Sequence, residues 1–238
     1  MRAILPDFIQ CEGIEPAMIV SRDLQKATNF AQEYGVASSG TLEQALSSSD
    51  IDAVYIATPH PLHFEIAMAA IQAGKHVLVE KPITMNFPQA KTLVEAALQK
   101  SVFLMEAMWQ AFNPTVTEMH RLLASDAIGE VRYMEASFGV AVPMDHSHRL
   151  WNHELGGGSV LDQGVYPISL IQSVLGRPQS VEATGAVCET GVDSEAVIRM
   201  SFRSGATAIA ASSLTAYLPN QAVISGTTGR IEIHGPIY

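Results

Sequence analysis

Residues 52–82 read DAVYIATPHPLHFEIAMAAIQAGKHVLVEKP and combine two short apolar runs with an amphipathic segment between them. The first run, 53–57, is too short for a helix and is followed by two prolines, so it predicts a strand that ends in a loop. From Leu62 the apolar residues recur at the spacing of one helix face until Gly74, a typical helix stop. Residues 76–79 predict a second strand. A strand–helix–strand unit of this length is a right-handed crossover, so the two strands should be parallel and share one carboxyl edge, where open parallel sheets bind ligands.

The segments around this unit predict two domains. Helices are predicted over 3–11 (the end of a first helix), 23–34, 41–46, 86–98 and from 113, and further strands over 17–20 and 102–105. From Gly129 apolar and polar residues alternate, which is typical of an antiparallel sheet with one wet face. Its strands are predicted at 131–138, 183–187, 196–202, 206–212 and 230–234, with one helix over 158–175. We therefore predict an α/β domain over residues 1–124, followed over residues 125–238 by an α+β domain with an open, mainly antiparallel sheet.

Several motifs resemble one enzyme family. Glu80-Lys-Pro82 follows the second strand of the crossover, and the segments that share the resemblance are 57–63, 73–79, 105–109, 156–166 and 226–230. Together they closely resemble the glucose–fructose oxidoreductase and inositol dehydrogenase family, and most of all its dihydrodiol dehydrogenase and xylose dehydrogenase branch. The resemblance covers nearly the whole chain. It implies a Rossmann-like dinucleotide-binding domain, a substrate domain, and hydride transfer between a nicotinamide and a carbinol of a sugar or cyclic diol.

The amino-terminal region departs from this family pattern. A dinucleotide fold opens with a strand and a Gly-rich turn about 20 residues before the residue that reads the ribose. Counting back from Arg22 reaches Met1, and Gly13 is the only glycine among the first 34 residues. We therefore expect a parallel sheet without its first strand and phosphate-binding turn, and a sequence truncated at both ends, since the family's chain continues beyond Tyr238. The start codon could be assigned too late, or the protein could be a fragment or a degenerate member.

The strand end at residues 20–26 bears on which cofactor is bound. Arginine at position 22 offers a charged fork that fits a ribose 2′-phosphate, whereas a carboxylate accepts hydrogen bonds from a free hydroxyl. Arg22, with Ser21 and Lys26, therefore favours NADP. Asp23 keeps NAD open, because it could be the hydroxyl acceptor while Arg22 is merely exposed.

The resemblance also implies which residues lie along the cofactor. They are the residues at the carboxyl ends of the crossover strands: Thr58, Pro59, His60, His63, Glu80 and Lys81. In the family the lysine of this triplet lies beside the nicotinamide and the substrate hydroxyl. A lysine in a partly buried cleft can hold that oxygen and stabilise its charge. The alternative is a surface lysine paired with Glu80.

Tyr166 is the general acid–base group that the resemblance implies. Asp162 and Tyr166 are four residues apart and would project from one helix face. Lys81 would stabilise the phenolate, and Asp162 would orient these groups or bind a sugar hydroxyl. The alternatives are helix packing for Tyr166 and a helix-start charge for Asp162. Residues 156–158 are three glycines that permit close backbone approach or form an ordinary flexible loop.

Two further residues are predicted to contact the substrate. Trp109 would wall the pocket with its aromatic face, although a core tryptophan is nearly as compatible with the pattern. Arg149 would reach the substrate from the loop around 145–154. That loop contains three histidines and two carboxylates, but nothing fixes a third ligand at a recognisable spacing, so we predict no metal site.

Composition restricts the partners and the compartment. Fourteen basic and 24 acidic residues give a net charge of −10, which argues against general binding to DNA or anionic membranes. Cys11 and Cys188 are far apart and suggest neither a zinc site nor a disulfide scaffold, so the cytoplasm is the expected compartment. No apolar run approaches a membrane span, and Asp7 and Glu12 interrupt any signal-peptide core.

A homodimer is expected for the full-length form, since the family commonly pairs through its open sheet. The alternative function is a catalytically silent fragment, or a cofactor- or sugar-binding protein without turnover.

Overall fold

A computed structural model describes residues 4–238 and divides them into two compact units. The first unit contains the chain up to residue 58 together with residues 62–106, and the second contains residues 59–61 and 107–238. Residue 3, the start of the first predicted helix, lies outside the described residues. No helix of the described chain is long and apolar enough to cross a membrane.

The first unit alternates helices and short strands, as the sequence predicts. Its helices are α1 (Leu5–Gln10), α2 (Leu24–Tyr34), α3 (Leu42–Ser47), α4 (His63–Gln72) and α5 (Phe87–Lys100). Its strands are β1 (Met18–Val20), β2 (Ser38–Gly40), β3 (Ala53–Ile56), β4 (His76–Val79) and β5 (Leu104–Glu106). Polar side chains begin three of the helices: Asp23 and Asn86 each accept a hydrogen bond from the first turn, and Thr41 forms a capping box with Gln44.

The predicted crossover is confirmed. β3, β4 and β5 form a parallel three-stranded sheet, in which Ala53 pairs with His76 and Val77 with Leu104. The core of this part joins strand residues to the inner faces of α4 and α5, and its buried members are Ile56, Ala67, Ala70, Ile71, Val77, Val79, Leu93, Ala96 and Ala97. Because the strands are parallel, Thr58 and Glu80 follow the same edge of the sheet.

A second, separate sheet contains only β1 and β2, which run parallel. Within residues 4–238, β1 is bonded to no strand except β2, and β3 to none except β4. Helix α1 packs along both sheets: Leu5 is buried with Ala31 and Val36, and the Phe8 ring meets Tyr55 edge-on at 5.0 Å. The expected gap in the dinucleotide sheet therefore takes the form of two separate sheets, in which β1 and β3 each have one side unpaired by any described strand.

The second unit is a six-stranded sheet with two helices. Its helices are α6 (Pro114–Ala124) and α7 (Val165–Leu175), and its strands are β6 (Val131–Gly139), β7 (Ser180–Val187), β8 (Asp193–Ser201), β9 (Thr207–Ser213), β10 (Ala222–Gly226) and β11 (Arg230–Ile233). The strand order is β11-β10-β6-β9-β8-β7, antiparallel except for the β6–β9 pair. The predicted alternation is clearest in β8, where Ala196, Ile198 and Met200 face the core and the residues between them do not.

Three details differ from the sequence prediction. Helix α6 belongs to the second unit, with Val116 and Met119 in the core of the six-stranded sheet, whereas the predicted boundary at 124/125 placed it in the first domain. Strands β2 and β10 were not predicted. The predicted helix over 158–175 begins with a π-helical turn, Val160–Gly164, before it becomes regular at Val165.

Candidate active site

In the first unit, Glu80 is held at the carboxyl end of β4. The Tyr55 hydroxyl donates to one carboxylate oxygen of Glu80, and the backbone N–H of Lys81 donates to the other at 3.3 Å. Burial, and then this hydrogen bond, raises the pKa of Tyr55 well above its ordinary range. Glu80 thus fixes the start of the Glu-Lys-Pro segment, and Lys81 follows it in a half-buried position.

His63 joins the loops that follow β3 and β4. Its side chain is fully buried, with Nδ1 2.8 Å from the Pro82 carbonyl oxygen and Nε2 2.9 Å from the Thr58 carbonyl oxygen. A carbonyl can only accept, so the imidazole must donate in any hydrogen bond with either oxygen. This histidine therefore positions the two segments beside it, and a direct contact with a cofactor stays a prediction.

At the end of β1, Asp23 serves as the N-cap of α2. Its carboxylate accepts from the backbone N–H of Lys26 at 3.1 Å, and the Lys26 ammonium lies 3.6 Å from it. The hydrogen bond from this N–H is the main cause that lowers the pKa of Asp23. The Ser21 hydroxyl accepts from the Asp23 N–H at 3.2 Å, while the Arg22 side chain is exposed. The Asp23 carboxylate thus already binds the backbone N–H and the side chain of Lys26 at the start of α2.

In the second unit, Asp162 is the centre of a buried polar group. Arg149 Nη1 donates to Asp162 Oδ1 at 2.9 Å, and His60 Nε2 lies 4.0 Å from the same oxygen. His60 Nδ1 donates to the Gly156 carbonyl at 2.9 Å. Asp162 and His60 are each 7% exposed, so the carboxylate is shielded from water on most sides and faces cationic or hydrogen-bonding partners. Pro59 belongs to this unit as well.

Tyr166 lies in an aromatic cluster with its hydroxyl hydrogen-bonded. Trp109 Nε1 donates to Tyr166 Oη at 3.1 Å, and the Phe138 and Tyr238 rings lie 5.5 and 5.4 Å from the Tyr166 ring. Gln110 Nε2 donates to the Tyr166 carbonyl at 2.8 Å. Tyr166 is 7% exposed whereas Trp109 is 46% exposed, so the tryptophan presents part of its surface to solvent beside the buried phenol.

Two members of this aromatic cluster, Phe138 and Tyr238, were not predicted from the sequence. Phe138 lies near the end of β6, and Tyr238 follows β11; burial raises the pKa of Tyr238 far above its ordinary range. Only the pairing of β6 with β10, and of β10 with β11, brings these two distant positions together. Phe138 ends the predicted strand 131–138, which is a weak signal, whereas Tyr238 lies four residues beyond the predicted strand 230–234 and carried none.

The three glycines before the π-helical turn form a packed bend. A Cβ on Gly157 would lie 2.5 Å from the Leu150 carbonyl oxygen, and Gly158 adopts a φ of 115° that favours glycine. The backbone here passes directly against the loop that carries Arg149. These contacts favour the close-approach interpretation for Gly157 and Gly158.

The histidine-rich loop is stabilised by local hydrogen bonds. Asp145 accepts from the Ser147 hydroxyl at 2.7 Å and from its N–H at 2.8 Å, and these bonds lower the pKa of Asp145. His146 Nε2 lies 2.7 Å from Glu189 Oε1. Over residues 4–238, no three histidine, cysteine or acidic side chains are grouped so that they could hold a metal ion.

Two family models match this chain, and each of them covers mainly one of the two units. A family described as "Oxidoreductase family, NAD-binding Rossmann fold" matches residues 4–108, and the GFO/IDH/MocA C-terminal domain matches residues 116–232. The trans-1,2-dihydrobenzene-1,2-diol dehydrogenase of Xenopus tropicalis is 39% identical over 241 residues, covering 98% of this chain and 72% of that protein.

Solved structures give the same relationship. An aldose–aldose oxidoreductase from Caulobacter crescentus has a TM-score of 0.91 and 28% identity, covering 98% of this chain and 73% of that one. KijD10, a 3-ketoreductase from Actinomadura kijaniata solved with NADP, has a TM-score of 0.83 and 33% identity, covering 95% of this chain and 70% of its own.

Proposed function

Because this chain belongs to the GFO/IDH/MocA oxidoreductase family, we propose that it is an NAD(P)-dependent dehydrogenase acting on a carbinol of a sugar or cyclic diol. The observation that carries the proposal is the cluster in the second unit, where the Tyr166 phenol lies among aromatic rings. The same unit holds the buried Asp162 carboxylate next to Arg149. Sugars and cyclic diols combine apolar C–H faces with hydroxyl groups. The aromatic rings can pack against the C–H faces, and the charged side chains can form hydrogen bonds with the hydroxyl groups.

The donor set of the first unit fits a nicotinamide dinucleotide. The Thr58 hydroxyl oxygen is buried and has no hydrogen-bond partner within residues 4–238, although it follows the strand edge at which parallel sheets bind ligands. We propose that Thr58 and Lys81 contact the cofactor, and that Glu80 and His63 act by holding the segments that carry them. When bound, the nicotinamide supplies or accepts the hydride.

For the cofactor preference, we propose NADP over NAD. Arg22 and Lys26 are both exposed at the end of β1 and the start of α2, and two cations suit a 2′-phosphate. The engagement of Asp23 as a helix cap supports the same choice, because a ribose hydroxyl would have to compete with the backbone for that carboxylate. The NADP bound in the 3-ketoreductase structure is in keeping with it.

We assign the proton chemistry to Lys81 and Tyr166. The Tyr166 hydroxyl would give or take the carbinol proton, and the Trp109 N–H would stabilise the oxygen when it carries charge. The Lys81 ammonium would hold the substrate oxygen. Asp162 and Arg149 would bind a second hydroxyl of the substrate, and the exposed face of Trp109 would pack against its ring.

Single substitutions test this assignment. Lys81→Ala and Tyr166→Phe should each lower kcat roughly 100-fold or more, followed through the absorbance of reduced nicotinamide with an aldose and with a cyclic diol as substrates. Lys91→Ala is the matched control, because Lys91 is an exposed lysine that pairs with Glu95 on α5. Near-normal turnover by Lys81→Ala would sink the assignment.

A second candidate is a cofactor- or sugar-binding protein without turnover. The observation that favours it is the separation of the two parallel sheets, since no described strand pairs with both β1 and β3 and no described Gly-rich turn follows such a strand. Binding of sugar or NADP by calorimetry, combined with no reduction of nicotinamide by any aldose or diol, would decide for it. We also propose that the protein forms a homodimer, which sedimentation analysis would test.

A further inference from the structure

The π-helical turn that carries Asp162 is anchored by a carboxylate from a different part of the second unit. We propose that Asp193, the first residue of β8, is a positioning residue: it fixes the start of this turn and thereby the placement of Asp162 and Tyr166. The inference rests on the proposed function, because it matters for catalysis only if those two residues act on a substrate.

Two donors converge on one oxygen of Asp193. The Ser159 hydroxyl donates to Asp193 Oδ2 at 2.6 Å, and the backbone N–H of Val160 donates to the same oxygen at 2.8 Å. Val160 is the first residue of the turn, where backbone N–H groups have no partner within the helix. A carboxylate at this point satisfies one of them and complements the positive end of the helix dipole. Asp193 thus caps the helix from β8, which is distant in the sequence.

The neighbouring hydroxyls extend this anchor to β9. Ser159 and Ser212 are 0% and 3% exposed, and their Oγ atoms lie 2.9 Å apart. Because the Ser159 hydroxyl donates its proton to the Asp193 carboxylate, Ser212 must donate to Ser159. At the other end of the turn, a Cβ on Gly164 would lie 3.2 Å from Ser212 Oγ. Both ends of the turn are therefore fixed against the sheet.

The turn geometry explains why such an anchor bears on the site. In a regular helix, residues four apart share one face, but Asp162 and Tyr166 contact different groups: Arg149 for the first and Trp109 for the second. A π-turn changes the angular spacing of side chains, and such turns are frequent at functional sites. Asp193 and Ser212 contact the start of this turn from outside the helix. Displacing reacting groups by even about 1 Å can cost 100-fold in rate.

The test compares three variants in the full chain. Asp193→Ala should lower kcat roughly 10- to 100-fold while the KM for NADP stays within about twofold, because the first unit is untouched. Asp193→Asn keeps the shape and one acceptor oxygen, so it should fold and recover part of the lost kcat. Ser194→Ala is the control, because Ser194 is the next residue of β8 and its hydroxyl donates to the Ala186 carbonyl, not to the turn. This variant should leave kcat unchanged. Equal kcat in wild type and both Asp193 variants would overturn the proposal, as would an equal loss in Ser194→Ala.

Amide hydrogen exchange separates this proposal from the proposed function. Asp193→Ala should speed exchange at least about tenfold over residues 158–166, and Ser194→Ala should not. If the wild type shows no turnover with any aldose or diol, the dehydrogenase assignment fails, yet this exchange comparison still decides whether Asp193 holds the turn. Unchanged exchange over 158–166 in Asp193→Ala would overturn the positioning role.

Discussion

At the scale of single residues, two tyrosine hydroxyls differ in whether a partner satisfies them. Tyr55 donates to Glu80, whereas the Tyr238 hydroxyl is buried without a hydrogen-bond partner in the described chain. Burying an unsatisfied hydroxyl costs roughly 1–3 kcal/mol, while a hydrogen bond to a charged group contributes a similar amount. Conservative removal of the two hydroxyls should therefore act in opposite directions on the free energy of unfolding.

The first prediction follows from this contrast. Tyr238→Phe should raise the free energy of unfolding by about 1 kcal/mol at pH 7, and Tyr55→Phe should lower it by about 1–2 kcal/mol, as measured by urea denaturation. Burial raises the pKa of Tyr238 above its ordinary value of 10.0, so the unfolded chain loses the phenol proton first. Wild-type stability should then fall as the pH rises past about 10, and the fall should be smaller in Tyr238→Phe. A destabilised Tyr238→Phe would contradict the burial argument.

The second prediction concerns His63. Replacement by alanine removes the donor shared between the Thr58 and Pro82 carbonyls and leaves a fully buried void, so the free energy of unfolding should fall by roughly 2–4 kcal/mol. His76→Ala is the control, because His76 is exposed and its imidazole Nδ1 accepts a hydrogen bond from the Phe103 N–H. His76→Ala should cost no more than about 1 kcal/mol. Equal effects would mean that His63 does not hold the two loops together.

At the scale of elements, the parts that the sequence predicts well are those with local causes. The β3–α4–β4 crossover follows from two apolar runs, two prolines and Gly74, and α2 follows from the helix predicted over 23–34. Strand β2 was missed because three residues of serine and glycine carry no apolar pattern, and its pairing with β1 is what makes it a strand.

In the candidate site, too, some features have local causes in the sequence and others depend on tertiary packing. The Glu-Lys-Pro segment and the spacing of Asp162 and Tyr166 could be read along the chain. The placement of His60 in the second unit, and of Tyr238 beside Tyr166, depends on tertiary packing between residues far apart in sequence. Periodicity also cannot distinguish a π-turn from a regular helix, since five residues are too few to show the difference.

The third prediction tests the bend that leads into this turn. Gly158 and Gly191 both have positive φ, at 115° and 81°, but a Cβ at Gly158 would overlap the Asp193 carboxylate and one at Gly191 would meet open space. Gly191→Ala should therefore cost about 1 kcal/mol from the backbone alone, and Gly158→Ala should cost at least about 2 kcal/mol more. Thermal denaturation of the two variants gives the comparison. Equal losses would mean that the bend yields without disturbing Asp193.

At the scale of the whole molecule, the question is whether the first unit binds a dinucleotide although its parallel strands form two sheets. Arg22 and Lys26 lie beside β1, in one sheet, whereas Thr58 and Lys81 follow β3 and β4, in the other. Binding therefore requires that both sheets contribute to one site within this unit. A ligand that binds only the folded state stabilises it, so thermal unfolding reports on this directly.

The last prediction is a nucleotide-dependent shift in the unfolding of residues 1–238. At about 100 times the dissociation constant, NADP⁺ should add about 2.7 kcal/mol, which corresponds to a rise in Tm of several degrees for a chain of this length. NAD⁺ at the same concentration should give a smaller shift. Arg22→Ala should remove most of the difference between the two nucleotides, because only NADP⁺ carries the 2′-phosphate that the guanidinium would bind. Arg132→Ala, which removes an exposed arginine of the second unit that pairs with Glu130, should leave both shifts unchanged.

Equal shifts in wild type would reject the NADP preference alone. No shift with either nucleotide would mean that the two sheets do not form one dinucleotide site, and turnover would then fail before any question of substrate arises.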